Sequence, residues 1–495
     1  MNKISISPRN IFILLLFLFL FTRLYNLTIL PIFTDESIYL YWAKYISTFH
    51  TDWFMSLTDG KSPIFIWILA FVLKIFPSSL YLLAGRLVSV FAGGIAIIGI
   101  YKLSLILFRS RKISLLSVFF AIINPFMLFH DRMVLFDSFL TTALIWSVYY
   151  ALKASISFKK KDAILWGVCL GLSLLIKSPA LIFVVLTPIC FFLSASQKLK
   201  NKKWTIISLP LLAIFISEAI YNLQRLSPNY KGMTVKNAQF QLPLEKLLSN
   251  PFILFGQNTK EIFNWIISYY TLPIFAIGCL GILFLLYRDF KRGVSLFMLW
   301  FIPLVVFAFI GKIIFPRYIL FTTPYFLIAL ASITNLFFNH VRIKYVKEIV
   351  LIALLFLSLK FDFYILTNPI KAPFPITDYN QYVSSAYSGY GLDKIFGFLD
   401  KKLSQGPQIM LVTQGKFGLF PYAFKLKYWD DKRMMFYQAW LDKTLDVDVY
   451  PFQKSATVYI VLWQNNAIPK NFPFTEVLRT EKPGGKNPII LAIPK

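Results

Sequence analysis

Charged residues make up only 15% of this 495-residue chain, against 57% hydrophobic and 18% aromatic residues. That balance excludes a soluble domain of this length and points to a polytopic integral membrane protein. Cysteine is scarce too: Cys169, Cys190 and Cys279 all lie inside apolar runs and show no CxxC spacing. Neither a disulfide framework nor a zinc site is therefore supported, and core packing is their expected role. His50, His130 and His340 are the only histidines and are scattered, so a histidine-built metal cluster is not expected. Acidic residues number 23 against 51 basic ones, a net charge of +28. No basic stretch is interleaved with an RNA- or DNA-binding module, so the excess reads as membrane topology and lipid contact, with no nucleic acid partner. Internal repeats and low-complexity tracts are absent as well.

What is present is a succession of apolar runs. Windows of about 19 residues place spans near 10–30, 86–108, 113–130, 134–152, 163–177, 179–196, 204–222, 263–287, 294–311, 318–338 and 349–366, eleven in all. The first, behind Lys3 and Arg9, imitates a signal peptide; no small-residue cleavage site follows it, and a retained span is expected. Arg109, Arg111 and Lys112, then Lys153 with Lys159 to Lys161, then Lys198, Lys200, Lys202 and Lys203, then Arg288, Lys291 and Arg292, and finally Arg342, Lys344 and Lys347 fall in alternate loops. By the positive-inside rule those loops are cytoplasmic in a plasma-membrane protein, with the N-terminus inside and the C-terminus outside. The apolar piece 64–76 is shorter than the roughly 20 residues a crossing needs and is expected to lie at the surface or re-enter. The outer segment 223–262 carries five basic residues against Glu245 and Glu261, mildly against the rule.

The expected organisation is a transmembrane catalytic domain over 1–366, whose first outer loop spans 31–85, and a small soluble extracytoplasmic α/β domain over 367–495. Pro369, Pro373 and Pro375 mark the linker; 408–413, 457–463 and 488–493 are β-rich, and 392–403 has helical spacing after Gly389-Tyr390-Gly391.

With this topology Asp35, Glu36, Lys61, His130, Asp131, Arg132, Asp137, Lys177, Lys312 and Arg317 all map to outer loops or outer span ends. Taken singly, each has a structural reading. Lys177 and Arg317 can snorkel to the interface, Arg132 and Asp137 can pair, and Asp35 with Glu36 can open an amphipathic helix over 37–46. Taken together they describe a polar cavity at the outer leaflet, because charge at membrane depth is costly and usually kept for function. Cations there suit an anionic head group, and a carboxylate suits removal of a proton from an incoming hydroxyl. A sugar on a lipid phosphate meets both demands, and one base without a covalent intermediate gives inversion at the anomeric carbon.

An ordered set of motifs resembles the protein O-mannosyltransferase and aminoarabinose-transferase group of GT-C glycosyltransferases, dolichyl-phosphate-mannose-protein mannosyltransferases included. Phe33-Thr34-Asp35-Glu36-Ser37-Ile38-Tyr39 is similar to the acidic first-loop motif, and Gly60-Lys61-Ser62-Pro63 to the Lys-Pro-Pro motif. Arg86, Asp131-Arg132 with Asp137, and Gly171-Leu172-Ser173 to Lys177-Ser178-Pro179 follow in order, and Pro316-Arg317-Tyr318 with Pro324 resembles the Pro-Arg-Tyr signature. The resemblance implies a polyprenyl-phosphate sugar donor, a hydroxyl acceptor on a lipid, glycan or protein, and Asp35, beside Glu36, as catalytic base. It implies Lys61 near the donor phosphate, with Lys177, Arg317 and Tyr39 binding or framing the head group, and it gives Arg86, Arg132, Asp137 and Tyr318 structural or substrate-positioning roles. Ser62 replaces the first proline, and Gly60 stands where the aminoarabinose branch has an acidic residue, so that branch's substrate and metal ligand are not carried over. The first loop has no Asp-x-Asp, which argues against a metal-dependent oligosaccharyltransferase, and no cofactor or divalent metal is implied.

Two alternatives stand beside this reading: a ligase moving a whole lipid-linked oligosaccharide, and a polytopic transporter. A transporter usually places its charges near mid-membrane and shows repeated halves, neither of which is read here.

Overall fold

The computed structural model describes residues 7–195, 203–341, 343, 345–439, 456–463, 474–485 and 487–494. Lys198, Lys200, Lys202, Arg342 and Lys344, used above to orient the loops, lie outside them. The chain forms two compact units, one of Met1–Tyr25, Asp52–Phe65 and Leu87–Leu366, the other of Asn26–Thr51, Ile66–Arg86 and Thr367–Lys495.

The first unit is helical. Among the described residues six helices are long and apolar enough to cross a membrane: Ser78–Phe108, Phe136–Ser157, Trp204–Leu226, Phe290–Ile310, Pro316–His340 and Val346–Thr367. Two bent pairs bring the number to eight if each is one span. Shorter helices, Pro8–Leu24, Lys160–Leu174 and Ser178–Ser194, occupy the three remaining expected positions, and Ile64–Leu73 is the short apolar piece of the first loop.

The bent pairs fall on two of the expected spans, 113–130 and 263–287. Arg111–Ile122 and Pro125–Asp131 meet at 63°, where Asn124 Oδ1 accepts from the Met127 N–H at 3.2 Å and Pro125 opens the new helix. Phe255–Tyr270 and Leu272–Arg288 meet at 105°. There Thr271 has φ of 63°, costly for a β-branched residue, and Pro273 starts the second helix without an N–H to continue the first.

Buried polar groups tie this unit together. Arg23 donates to Asp131 at 3.2 Å, both side chains being buried, and Ser138 Oγ donates to the other Asp131 oxygen at 2.9 Å. Gly93 makes room for that carboxylate, since a Cβ there would lie 2.7 Å from Asp131 Cγ. Arg132 donates to the carbonyls of Thr22, Arg23 and Tyr25 at 2.8–3.0 Å, capping the C-terminal end of helix Pro8–Leu24.

The second unit is built on a five-stranded sheet: β1 (Ile409–Gln414), β2 (Met434–Ala439), β3 (Thr457–Leu462), β4 (Phe474–Thr480) and β5 (Ile489–Pro494), in spatial order β2-β1-β3-β5-β4. β1 runs parallel to both β2 and β3, and β5 pairs antiparallel with β3 and β4. Helix Leu419–Lys427 lies between β1 and β2 in the chain, as a parallel pair requires. One face of the sheet packs Leu411, Val461 and Leu491 under Ile395 and Leu399 of helix Leu392–Leu403 and Phe424; the other packs Met410, Val412 and Ile460. Helix Thr34–Phe49 joins this unit through Tyr41, stacked on Tyr422 with ring centroids 4.2 Å apart, and Phe33 lies 4.6 Å from Tyr382.

Candidate functional site

The acidic pair sits at a helix start. Phe33 is extended, Thr34 begins the helix, and Asp35 and Glu36 fall in its first turn, where unpaired N–H groups favour negative charge. The two carboxylates have different surroundings. Glu36 is fully buried and receives Arg86 on both oxygens, Nε to Oε1 at 2.9 Å and Nη2 to Oε2 at 2.8 Å, while Oε2 also accepts the Phe33 N–H at 2.9 Å. Arg86 spends its other donors on the carbonyls of Leu27 at 3.0 Å, Leu30 at 2.8 Å and Pro31 at 3.4 Å. Asp35 is half-buried, and Tyr39, one turn further along the same face, is buried with its ring 6.0 Å from that of Trp42.

The cations gather in the other unit. Lys177 lies in the break between helices Lys160–Leu174 and Ser178–Ser194; its Nζ donates to Asp137 Oδ1 at 2.7 Å and stands 4.0 Å from the Tyr318 ring centroid. Arg317 follows Pro316 at the start of a short helical turn, with its guanidinium 4.9 Å from the Phe315 ring and 5.7 Å from that of Tyr318. Lys61 follows Gly60, which calls for glycine both by its φ of 73° and because a Cβ there would lie 2.6 Å from Lys236 Cβ, and the Lys61 Nζ lies 5.5 Å from the Phe240 ring. Asp137 attracts Lys177, while Arg317 and Lys61 repel it. Arg317 and Lys61 thus lie within electrostatic range of the one cation that pairs with Asp137.

Asp137, Lys177, Arg317, Tyr318 and Lys61 are therefore brought together in one unit, and Asp35, Glu36, Tyr39 and Arg86 in the other. Arg132 belongs to the Arg23–Asp131 cluster. His130, noted in the sequence without a role, is acted on by the charges of Asp137, Arg317 and Lys177. It is fully buried, with Nδ1 3.0 Å from the Phe126 carbonyl and no partner at Nε2. Only its place just before Asp131-Arg132 hinted at this. Among the described residues no group of three or more His, Cys, Asp or Glu side chains is placed to hold a metal ion.

Fold and motifs define a class: a multi-pass helical membrane protein whose fold resembles that of GT-C glycosyltransferases, with a small C-terminal sheet domain. Within that class, residues 60–221 match the sequence profile described as dolichyl-phosphate-mannose-protein mannosyltransferase. The fold is similar to the crystal structure of ArnT from Cupriavidus metallidurans bound to undecaprenyl phosphate, at 12% identity, 97% of each chain and a TM-score of 0.56. The apo state of that protein is similar at 11% identity, 97% of each chain and a TM-score of 0.57. The Archaeoglobus fulgidus oligosaccharyltransferase tethered to an acceptor peptide is similar at 13% identity, over 92% of this chain and 69% of that one, with a TM-score of 0.50. No curated protein sequence matches the chain.

Proposed function

We propose that the protein is an inverting glycosyltransferase that moves a single hexose or pentose from a polyprenyl-phosphate donor to a hydroxyl acceptor at the outer membrane face. The observation that carries this reading is the pairing of Lys177 with Asp137 within electrostatic range of two further cations, Arg317 and Lys61, an excess of positive charge that suits a phosphate. Asp35 takes the proton of the acceptor hydroxyl as that oxygen bonds to the anomeric carbon, and the bond from that carbon to the phosphate oxygen breaks. The polyprenyl phosphate departs as an anion stabilised by the three cations. Glu36, committed to Arg86, holds the helix start on which Asp35 sits, and Tyr39 frames the head group.

The neighbour bound to undecaprenyl phosphate supports a lipid-phosphate donor. In this reading residues 1–366 are the catalytic membrane part, with the N-terminus cytoplasmic, and 367–495 lie outside. The likeness to an oligosaccharyltransferase favours, as a second reading, transfer of a preassembled lipid-linked glycan.

The test is release of free polyprenyl phosphate from synthetic polyprenyl-phosphate hexoses and pentoses by purified protein, with Asp35→Asn alongside. Asp35-dependent release supports the transferase reading. Full activity in Asp35→Asn removes Asp35 as base, and turnover only of oligosaccharide donors selects the ligase.

A further inference from the structure

Lys482 lies between β4 and β5 and is only 3% exposed. Its ammonium donates to three neutral carbonyls, Ser388 at 2.6 Å, Ser385 at 2.9 Å and Ala386 at 3.3 Å, which uses every N–H it has. The β4–β5 ladder ends at Thr480 opposite Ile489, so strand pairing does not need this charge. Burial pushes its pKa down to about 7. Lysine is seldom buried so completely, because desolvation of the charged form is expensive.

The segment it grips is in turn bound to the helix that carries Asp35. The Tyr387 carbonyl accepts both the Thr34 N–H at 3.1 Å and the Thr34 hydroxyl at 2.8 Å. That N–H is one of the groups a helix start leaves without an internal partner. Two residues on, Gly389 passes so close to the chain before the helix that a Cβ would lie 2.2 Å from the Ile32 carbonyl oxygen. A second contact from the same turn as Lys482, Asn487 Nδ2 to the Ser384 carbonyl at 3.4 Å, holds the segment from the same side. The contacts run without a gap from Lys482 through Ser385–Ser388 to Thr34, the residue next to Asp35.

We propose that Lys482 is a positioning residue for glycosyl transfer, holding the Ser385–Gly389 segment and through it Thr34, so that the Asp35 carboxylate keeps the orientation from which it removes the acceptor proton. The inference rests on the reading of Asp35 as base. A base works only within hydrogen-bond reach of the proton it takes, and displacement by about 1 Å costs on the order of a hundredfold in rate.

The experiment compares the full-length chain with Lys482→Met, Lys482→Arg, Thr34→Val, Asp35→Asn and the Lys482→Met/Asp35→Asn double variant. The readouts are kcat and KM for the synthetic donor that gives the fastest Asp35-dependent release, and hydrogen exchange of the Thr34 amide. Lys482→Met is expected to lower kcat by roughly 10- to 100-fold with donor KM unchanged, to speed exchange at Thr34, and to cause no further loss on top of Asp35→Asn. Lys482→Arg is expected to recover part of kcat, and Thr34→Val to lower kcat without moving KM. Folded Lys482→Met with wild-type kcat and Thr34 exchange, beside an inactive Asp35→Asn, overturns the inference while leaving the base in place. Full activity in Asp35→Asn instead overturns the base, and the exchange result then shows whether the grip on Thr34 exists independently. If Lys482→Met fails to fold, Thr34→Val decides: unchanged kcat there overturns the inference.

Discussion

Lys177 holds Asp137 at 2.7 Å while its ammonium lies 4.0 Å from the centre of the Tyr318 ring, so one cation is placed by a carboxylate on one side and an aromatic face on the other. An ammonium held in this way is oriented before any phosphate arrives. Removing the ring face by Tyr318→Ala should cost about 0.5–2 kcal/mol of that interaction, whereas Tyr318→Phe keeps it. Equilibrium binding of polyprenyl phosphate checks this, with weaker binding expected for Tyr318→Ala and near wild-type binding for Tyr318→Phe.

Glu36 and Arg86 form an ion pair with both side chains buried. Removal of one partner strands the other charge, and the expected loss for Arg86→Met is about 3–5 kcal/mol of stability. Arg86→Lys should not restore it, because a lysine cannot give both carboxylate oxygens a donor while also reaching the Leu27 and Leu30 carbonyls. Thermal unfolding of the purified variants measures both.

Lys482 sets a pH dependence whose sign follows from its pKa, which falls from 10.5 in the unfolded chain to about 7 in the fold. Between those values the unfolded chain binds more protons, so stability rises with pH across that window. Wild type should therefore gain more in melting temperature between pH 7 and pH 9.5 than Lys482→Met does. Equal gains in the two proteins would show that the buried ammonium is not the source.

Gly389→Ala places a methyl group 2.2 Å from the Ile32 carbonyl oxygen and 3.1 Å from the Ile32 nitrogen, and both neighbours are backbone, with no side chain to swing aside. Overpacking of this kind costs about 1–3 kcal/mol. The variant should melt earlier than wild type, while Gly397→Ala, with nothing within 4 Å of the new methyl, should not.

Much of the C-terminal sheet was legible because of where its strands lie. The three β-rich runs read from the sequence are β1, β3 and β5, the three interior strands, which are apolar on both faces. The two overlooked strands are the edges: β4 mixes Thr475, Glu476 and Arg479 with its apolar residues and resembles a loop, while β2 is a short apolar run directly after the charged stretch Asp430–Arg433. The break at Asn124-Pro125 carries a cap-and-proline signal that was there to be read; at the second break Pro273 is such a signal, but the left-handed Thr271 before it gives none. The cations of the candidate site were legible as rare charges between apolar runs. Their partners were less so: Glu36 and Arg86 are fifty positions apart, and Asp137 and Lys177 forty, distances over which only the fold decides who meets whom. Lys482 stood out least, one of 51 basic residues in a polar stretch with no motif around it.

The pairing of Arg23 with Asp131 also fixes an order of assembly. The two residues are 108 positions apart, so at about 5–20 residues per second the ribosome needs on the order of 5–20 s to supply the carboxylate after the arginine has been made. Through that interval helix Pro8–Leu24 carries a guanidinium without its native partner Asp131, and the carbonyls at its end lack the cap that Arg132 later provides. Helix Pro8–Leu24 is thus made well before it is secured, and its final seating is a checkpoint on the arrival of the segment around residue 131.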